Sequence, residues 1–190
     1  MANNGDKRPR QLAANGGTVI WLTGLSAAGK STLANALHDR LAALNVASVV
    51  LDGDLIRQGL CSDLGFSRQD RRENIRRVGE VAALMAIAGL LAITAFISPY
   101  VDDRAQARAA APKGRFIEIY LATPLDICEQ RDPSGLYQKA RSGQLKCFTG
   151  IDDPYEPPKD PDLLIANHEQ SVDQCVDCIL DLLQNKGLLT

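Results

Sequence analysis

No sign of charge dominates this sequence. Lysine and arginine total 21 against 23 aspartate and glutamate, a net charge of −2. That balance argues against a general nucleic-acid or membrane-surface binder. A membrane-crossing run is also missing. The charge-free stretch Val81–Ile97 only just reaches the roughly 17 residues a span needs. Gly89 divides it, and Leu90–Ile97 reads as a buried strand after a helix and a turn. With no secretory leader read in this sequence and an odd set of five cysteines, a reducing cytosol and a cytoplasmic protein are expected. Cys175 and Cys178 form a C-x-x-C within a late helical pattern, without the strand context of a redox or metal motif. Histidine is nearly absent: His38 falls in the first helix and His168 after the last strand. No internal repeat or second domain is visible. At 190 residues, 45% hydrophobic and 23% charged, the chain has ordinary globular composition. A domain of that size buries about 70% of its surface. The expected division is a flexible tail over 1–17 and a single domain over 18–190.

What is present begins with Gly24-Leu25-Ser26-Ala27-Ala28-Gly29-Lys30-Ser31, directly after the apolar run Val19–Leu22. It fits G-x-x-x-x-G-K-[ST] at every fixed position, with a helical pattern following from Thr32. A strand delivers such a loop so that its backbone N–H groups converge on a phosphate chain, helped by the positive end of the helix. Lys30 would reach the β- and γ-phosphates, and the Ser31 hydroxyl would ligate Mg²⁺. Ala27 and Ala28 lie inside the loop, leaving Gly24 and Gly29 as the positions for positive φ. The pattern predicts a nucleoside-triphosphate binder.

Along the chain, strands are predicted at Val19–Thr23, Val46–Leu51, Leu90–Ile97, Phe116–Leu121 and Leu163–Ala166. Helices are predicted at Ser31–Leu44, around Asn74 into the apolar run, around Arg104 and Arg108, from Pro124, around Lys139 and Arg141, and at Ser171–Leu183. Phe148–Pro161, rich in Pro, Asp and Gly, reads as loop. Apolar strands alternating with helices indicate an α/β protein, a five-stranded, mainly parallel sheet covered on both faces. The second strand runs into Asp52-Gly53-Asp54, placing two carboxylates at the sheet edge that carries chemistry in such folds.

A switch GTPase is disfavoured. Asn185-Lys186-Gly187-Leu188 lacks the Asp of an N-K-x-D segment, and Asp132-Pro133-Ser134-Gly135 comes too late for a D-x-x-G switch. The arginine-rich stretch Leu55–Arg77 is more informative. Charge runs are usually solvated helix faces. Here the arginines follow the carboxylate-bearing strand end, and guanidinium groups grip phosphate or sulfate bidentately. Phe66 lies among them and offers a base a stacking surface.

Ordered blocks sharpen this reading. Asp52-Gly53-Asp54-Leu55-Ile56-Arg57, Gly65-Phe66-Ser67, Asp70-Arg71-Arg72-Glu73-Asn74-Ile75-Arg76-Arg77, Phe96-Ile97-Ser98-Pro99-Tyr100, Cys128-Glu129-Gln130-Arg131-Asp132-Pro133 and Phe148-Thr149-Gly150-Ile151-Asp152 run in unbroken order. Together they resemble the adenylylsulfate kinase (APS kinase) family from about Val19 to Leu163. The resemblance implies a P-loop fold of the small-molecule kinase type with a mobile lid. It also implies transfer of the ATP γ-phosphate to the 3′-hydroxyl of adenosine 5′-phosphosulfate, and a homodimer. By resemblance, Arg57, Arg71 and Asn74 hold the acceptor, Phe66 and Phe148 sandwich its adenine, and Ile97 and Thr149 lie beside it. Lys139 belongs to the lid, Arg131 packs on the adenine of ATP, and Ser98 stands at the family's phosphoserine position. Thr32 closes the ATP loop.

Phosphoryl transfer has a loose transition state with charge on the γ-oxygens, so positioning and cations dominate. Asp54 is expected to orient Mg²⁺ or to accept the 3′-hydroxyl proton; Asp52 is the alternative. Ser98 has no histidine to activate it, and direct transfer is expected. The chain departs from the family pattern at Ala27, where Gly is common, at Val101, where Arg is expected, and at Ser134, where Lys is common. Two other readings stay open: a non-catalytic nucleotide-binding domain of the same fold, and a kinase for another small alcohol.

Overall fold

The computed structural model describes residues 16–189. Five strands, β1 (Thr18–Thr23), β2 (Ser48–Asp52), β3 (Leu91–Ala95), β4 (Phe116–Leu121) and β5 (Leu163–Ile165), form one sheet in the order β2-β3-β1-β4-β5. All four pairings are parallel. Among the described residues seven helices accompany them: α1 (Lys30–Ala43), α2 (Gly53–Gln58), α3 (Arg68–Ile87), α4 (Val101–Ala110), α5 (Leu125–Arg131), α6 (Leu136–Arg141) and α7 (Val172–Asn185).

All six residues of β1 are buried. The strand period of two sorts them onto opposite faces. Ile20 and Leu22 pack with Leu33, Leu37 and Leu41 of α1 and with Val176, Ile179 and Leu183 of α7. Val19 and Trp21 pack with Ile75, Val78 and Ala82 of α3 and with Ala107 of α4. A strand with a helix layer on each face needs apolar residues at every position, which is why this run does not alternate. Each fully buried Leu or Ile contributes about 1.5–3 kcal/mol.

Local signals fix the ends of these elements. The Ser67 hydroxyl caps α3 by accepting from the Asp70 amide at 3.1 Å. Ser171 and Gln174 form a reciprocal capping box on α7. In α3, a Cβ on Gly79 would lie 3.0 Å from Ala107, so glycine there permits the close α3–α4 crossing. The run Val81–Ile97 divides as the sequence predicts, into the end of α3, a turn at Gly89 and strand β3. Among the described residues no helix is long and apolar enough to cross a membrane.

Helix α2 has no counterpart in the sequence reading. Asp52 ends β2 and at once caps α2, its carboxylate accepting from the Asp54 amide at 3.0 Å. Gly53 and the charges after it gave no helical periodicity. Of the expected tail, residues 1–15 lie outside the described residues, and Gly17 already donates to Ala86 O at 2.9 Å. Because the strands are parallel, β1, β2 and β3 release Gly24, Gly53 and Phe96 at one edge. That edge carries the site.

Candidate active site

The loop between β1 and α1 is held by its carbonyls. Lys30 Nζ donates to Gly24 O at 2.9 Å and to Leu25 O at 2.6 Å. Tyr137 OH donates to Ser26 O at 3.0 Å. Asn167 Nδ2 donates to Ala28 O at 2.6 Å, and Thr123 Oγ1 bonds both Ala28 O and Asn167 Oδ1. With the carbonyls anchored, the loop's shape is set around the first N–H groups of α1, which have no intrahelical acceptor. Gly29 caps α1 at φ 94°, and a Cβ there would lie 2.9 Å from Asn167 Nδ2, so the position requires glycine.

Ala27 corrects the sequence reading. It adopts φ 56° although it is not glycine. A left-handed alanine costs about 1–2 kcal/mol. The anchored carbonyls on either side, at Ser26 and Ala28, hold it there. Lys30 is only 8% exposed. Burial pushes its ammonium down to about 8, partly offset by Cys128, Asp52 and Asp54.

Ser31 Oγ donates to Asp52 Oδ2 at 2.6 Å. The two line the same cleft and form a pair of hard oxygen donors beside the phosphate loop. Asp54 also lines the cleft, in the first turn of α2 and closer in sequence to the arginines.

The far end of the cleft is built from α2, α3 and the loop after α6. Arg57 lies 4.3 Å from the centroid of the Phe66 ring and Arg71 lies 5.8 Å from it. Burial and the neighbouring Arg71 charge push the Arg57 guanidinium down. Two cations held this close favour an anion between them. Arg71 also donates from Nη2 to Cys147 O at 2.6 Å, drawing the Cys147–Thr149 loop to the site. Asp152 fixes that loop from the other side by accepting from the Cys147 and Phe148 amides at 2.8 and 2.6 Å. Those amides hold its carboxyl below the usual range. Phe148 is buried edge-on against Tyr137 at 4.9 Å, whereas Phe66 is 60% exposed. Asn74 and Thr149 are buried on the cleft wall, and Asn74 Oδ1 and Thr149 Oγ1 have no partner among the described residues. Buried polar atoms without partners cost about 1–3 kcal/mol each. A polar ligand in the cleft would satisfy them.

Ser98 is also buried, at φ 41°. Its Oγ accepts from Trp21 Nε1 at 3.1 Å and donates to Thr23 Oγ1 at 3.0 Å. Its carbonyl accepts from Arg104 Nη1 at 2.7 Å. Among the described residues no carboxylate or histidine bonds the hydroxyl.

These features surround one cleft of about 860 Å³. Of the residues expected in the site, Gly24, Leu25, Ala28 and Lys139 do not line it; the others do. The first three serve as bonded frame rather than wall. Lys139 is exposed on α6, while Lys146, seven residues later, does reach the cleft. Asn167, Thr123 and Tyr137, which shape the phosphate loop, were not expected; each acts across a long sequence separation. Of the departures from the family pattern, Ser134 lines the cleft and Val101 does not.

A phosphate-binding loop after the central strand of a parallel sheet, facing a pocket of paired arginines across one cleft, defines a P-loop phosphotransferase with a second, anionic substrate. The comparisons agree. The adenylylsulphate kinase family model matches residues 16–166. The adenylyl-sulfate kinase of Vibrio cholerae is 56% identical over 171 residues, 90% of this chain and 80% of its own. That of Acaryochloris marina is 51% identical over 172 residues, 90% of this chain and 84% of its own. The Mycobacterium tuberculosis APS kinase CysC, solved with AMPPNP and APS, superposes with a TM-score of 0.85 at 44% identity, covering 89% of this chain and 98% of that one. The chain belongs to the adenylylsulphate kinase family.

Proposed function

We infer that this protein transfers the γ-phosphoryl group of ATP to the 3′-hydroxyl of adenosine 5′-phosphosulfate, giving 3′-phosphoadenosine 5′-phosphosulfate and ADP. The observation that carries this is the two-ended cleft: an anchored phosphate loop at one end, and Arg57, Arg71, Phe66 and Asn74, whose Oδ1 has no partner among the described residues, at the other. One end suits a triphosphate; the other suits a base bearing an anionic tail.

The loop and α1 hold the triphosphate, and Lys30 leaves the Gly24 and Leu25 carbonyls to meet its β- and γ-oxygens. Arg131 lies against the ATP adenine. Arg57 and Arg71 grip the phosphosulfate, and Phe66 and Phe148 flank the acceptor's adenine. Such fixation supplies the in-line approach that a loose phosphoryl transfer requires. Asp54, at the start of α2, accepts the 3′-hydroxyl proton.

Magnesium fits this site. It takes oxygen donors and is commonly held by one or two carboxylates with substrate phosphates completing its shell. Ser31 would supply a ligand and Asp52, bonded to it, would orient that ligand; Asp54 lines the same cleft. When bound, the ion offsets charge on the phosphate oxygens.

The bonds that occupy the Ser98 hydroxyl support direct transfer, with Ser98 shaping the acceptor edge. The protein works in the cytoplasm as a homodimer, with residues 18–190 as the catalytic unit, in keeping with its family. The test is a coupled ADP-release assay with MgATP, with and without adenosine 5′-phosphosulfate. Acceptor-dependent turnover giving a 3′-phosphorylated product is expected. Equal ATP hydrolysis with and without the acceptor would overturn the assignment.

A further inference from the structure

Arg104 is an arginine outside the cleft whose three bonding nitrogens all reach different segments. It is 3% exposed on α4. Nε donates to Glu118 Oε1 on β4 at 2.8 Å, Nη1 to Ser98 O at 2.7 Å, and Nη2 to Glu156 O at 2.7 Å. Only the first contact is an ion pair. The other two go to backbone carbonyls of two segments that run directly into the acceptor end of the cleft.

The first is the turn after β3, where Ser98 takes a left-handed conformation with a side chain. Such a conformation persists only when its surroundings over-determine it. Arg104 holds its carbonyl while Trp21 and Thr23 hold its hydroxyl. The second is the loop ending at Glu156. Backwards from there, Asp153 accepts from Tyr100 OH at 3.0 Å and lies 3.9 Å from Arg71. Asp152 in turn sets the Cys147 and Phe148 amides. The two segments are also joined by Glu156 N to Pro99 O at 2.8 Å and by Val101 N to Glu156 Oε2 at 2.8 Å. Thr23 of β1 touches both through hydroxyl contacts to Ile97 O, Ser98 Oγ and Tyr155 OH, and Arg104 ties both backbone carbonyls to Glu118 of β4.

We propose that Arg104 is a positioning residue for the acceptor: it sets the spacing between the Ser98 turn and the loop that carries Phe148 and Thr149. The proposal rests on the acceptor reading given above. A planar guanidinium suits this role because its donors point in fixed, divergent directions, which an ammonium cannot reproduce. The phosphate loop is anchored independently by Lys30, Tyr137, Asn167 and Thr123. The effect of disturbing Arg104 is therefore directed to one substrate.

The experiment varies each substrate in turn for Arg104→Lys and Glu118→Gln, together with thermal melts and calorimetric binding of adenosine 5′-phosphosulfate. Arg104→Lys is expected to raise the acceptor KM about tenfold to a hundredfold, the range for slight misplacement of reacting groups. The KM for ATP should stay within about twofold. Glu118→Gln, which keeps the shape of the third anchor, should shift the acceptor KM the same way by less. Loss of Vmax in proportion to folded protein, with both KM values unchanged, would reduce Arg104 to a structural ion pair. Equal changes for both substrates would do the same. If Arg104→Lys does not fold, an unaltered acceptor KM in Glu118→Gln overturns the proposal. Wild-type turnover checks the activity itself, and calorimetry reads the Arg104 effect without turnover.

Discussion

Raising the pH should weaken ATP binding through one side chain, Lys30. Burial against the phosphate loop brings its ammonium from 10.5 down to about 8. That shift corresponds to about 3 kcal/mol of disfavour for the charged form. Its two bonds to Gly24 O and Leu25 O survive deprotonation, because a neutral amine still offers N–H donors to both. The sign follows from proton counting. Between about 8 and 10.5 the folded chain holds fewer protons on Lys30 than the unfolded chain does, so the cost of burying the charge is fully present below about 8 and fades as pH rises through that window. Bound phosphates favour the ammonium and raise its pKa again. Nucleotide binding then takes up about half a proton per site at pH 8. The affinity should fall about tenfold between pH 7 and pH 9. The nucleotide's own phosphates add little slope there, since they ionise near pH 6. The assay is isothermal titration of a non-hydrolysable ATP analogue with Mg²⁺, at both pH values and in buffers of different ionisation enthalpy. Lys30→Met should bind more weakly, show no buffer dependence and give a flat pH profile. A wild-type affinity equal at pH 7 and pH 9 would refute the reasoning, as would the same slope in Lys30→Met.

Arg57→Ala and Arg71→Ala should each raise the acceptor KM about tenfold to a hundredfold, the loss of a charged hydrogen bond, with little change for ATP. Equal loss for both substrates in steady-state kinetics would place these residues in the frame. Ser98→Ala should keep a substantial part of the wild-type kcat, and mass spectrometry during turnover should find no phosphate on Ser98. A phosphoserine formed and consumed at the turnover rate would establish a covalent route instead. Asp52→Asn should raise the Mg²⁺ concentration for half-maximal activity about tenfold or more, since Asp52 bonds the Ser31 hydroxyl. Asp54→Asn should lower kcat with less change in that concentration; the opposite pattern would exchange the two roles.

The sequence exposed what is local. A loop motif between an apolar strand and a helix, five apolar runs and their order all lie within short windows, and each matches the sheet to within a few residues. Helix α2 escaped because Asp52 serves two elements at once and Gly53 hides the helical start. The rule that only glycine adopts positive φ failed at Ala27, because tertiary bonds to the flanking carbonyls outweigh a local preference. Asn167 reaches Ala28 across 139 residues and Tyr137 reaches Ser26 across 111. Nothing near either residue in sequence signals that contact. Lys146 in place of Lys139 on the cleft wall depends on how α6 rotates and where its following loop turns, which helical periodicity alone does not fix.

The chain has a single tryptophan. It sits fully buried in β1, stacked near Phe116 at 5.6 Å and Phe96 at 6.3 Å, and its indole N–H ends on Ser98. Indole emission responds to hydrogen bonding and to the polarity around the ring, and every photon from this protein's tryptophan originates beside one turn. The molecule therefore carries its own optical reporter at the edge proposed for the acceptor. Movement of the Ser98 turn can be followed in a stopped-flow fluorimeter, at protein excitation wavelengths, without a dye, a label or a second tryptophan to confuse the signal.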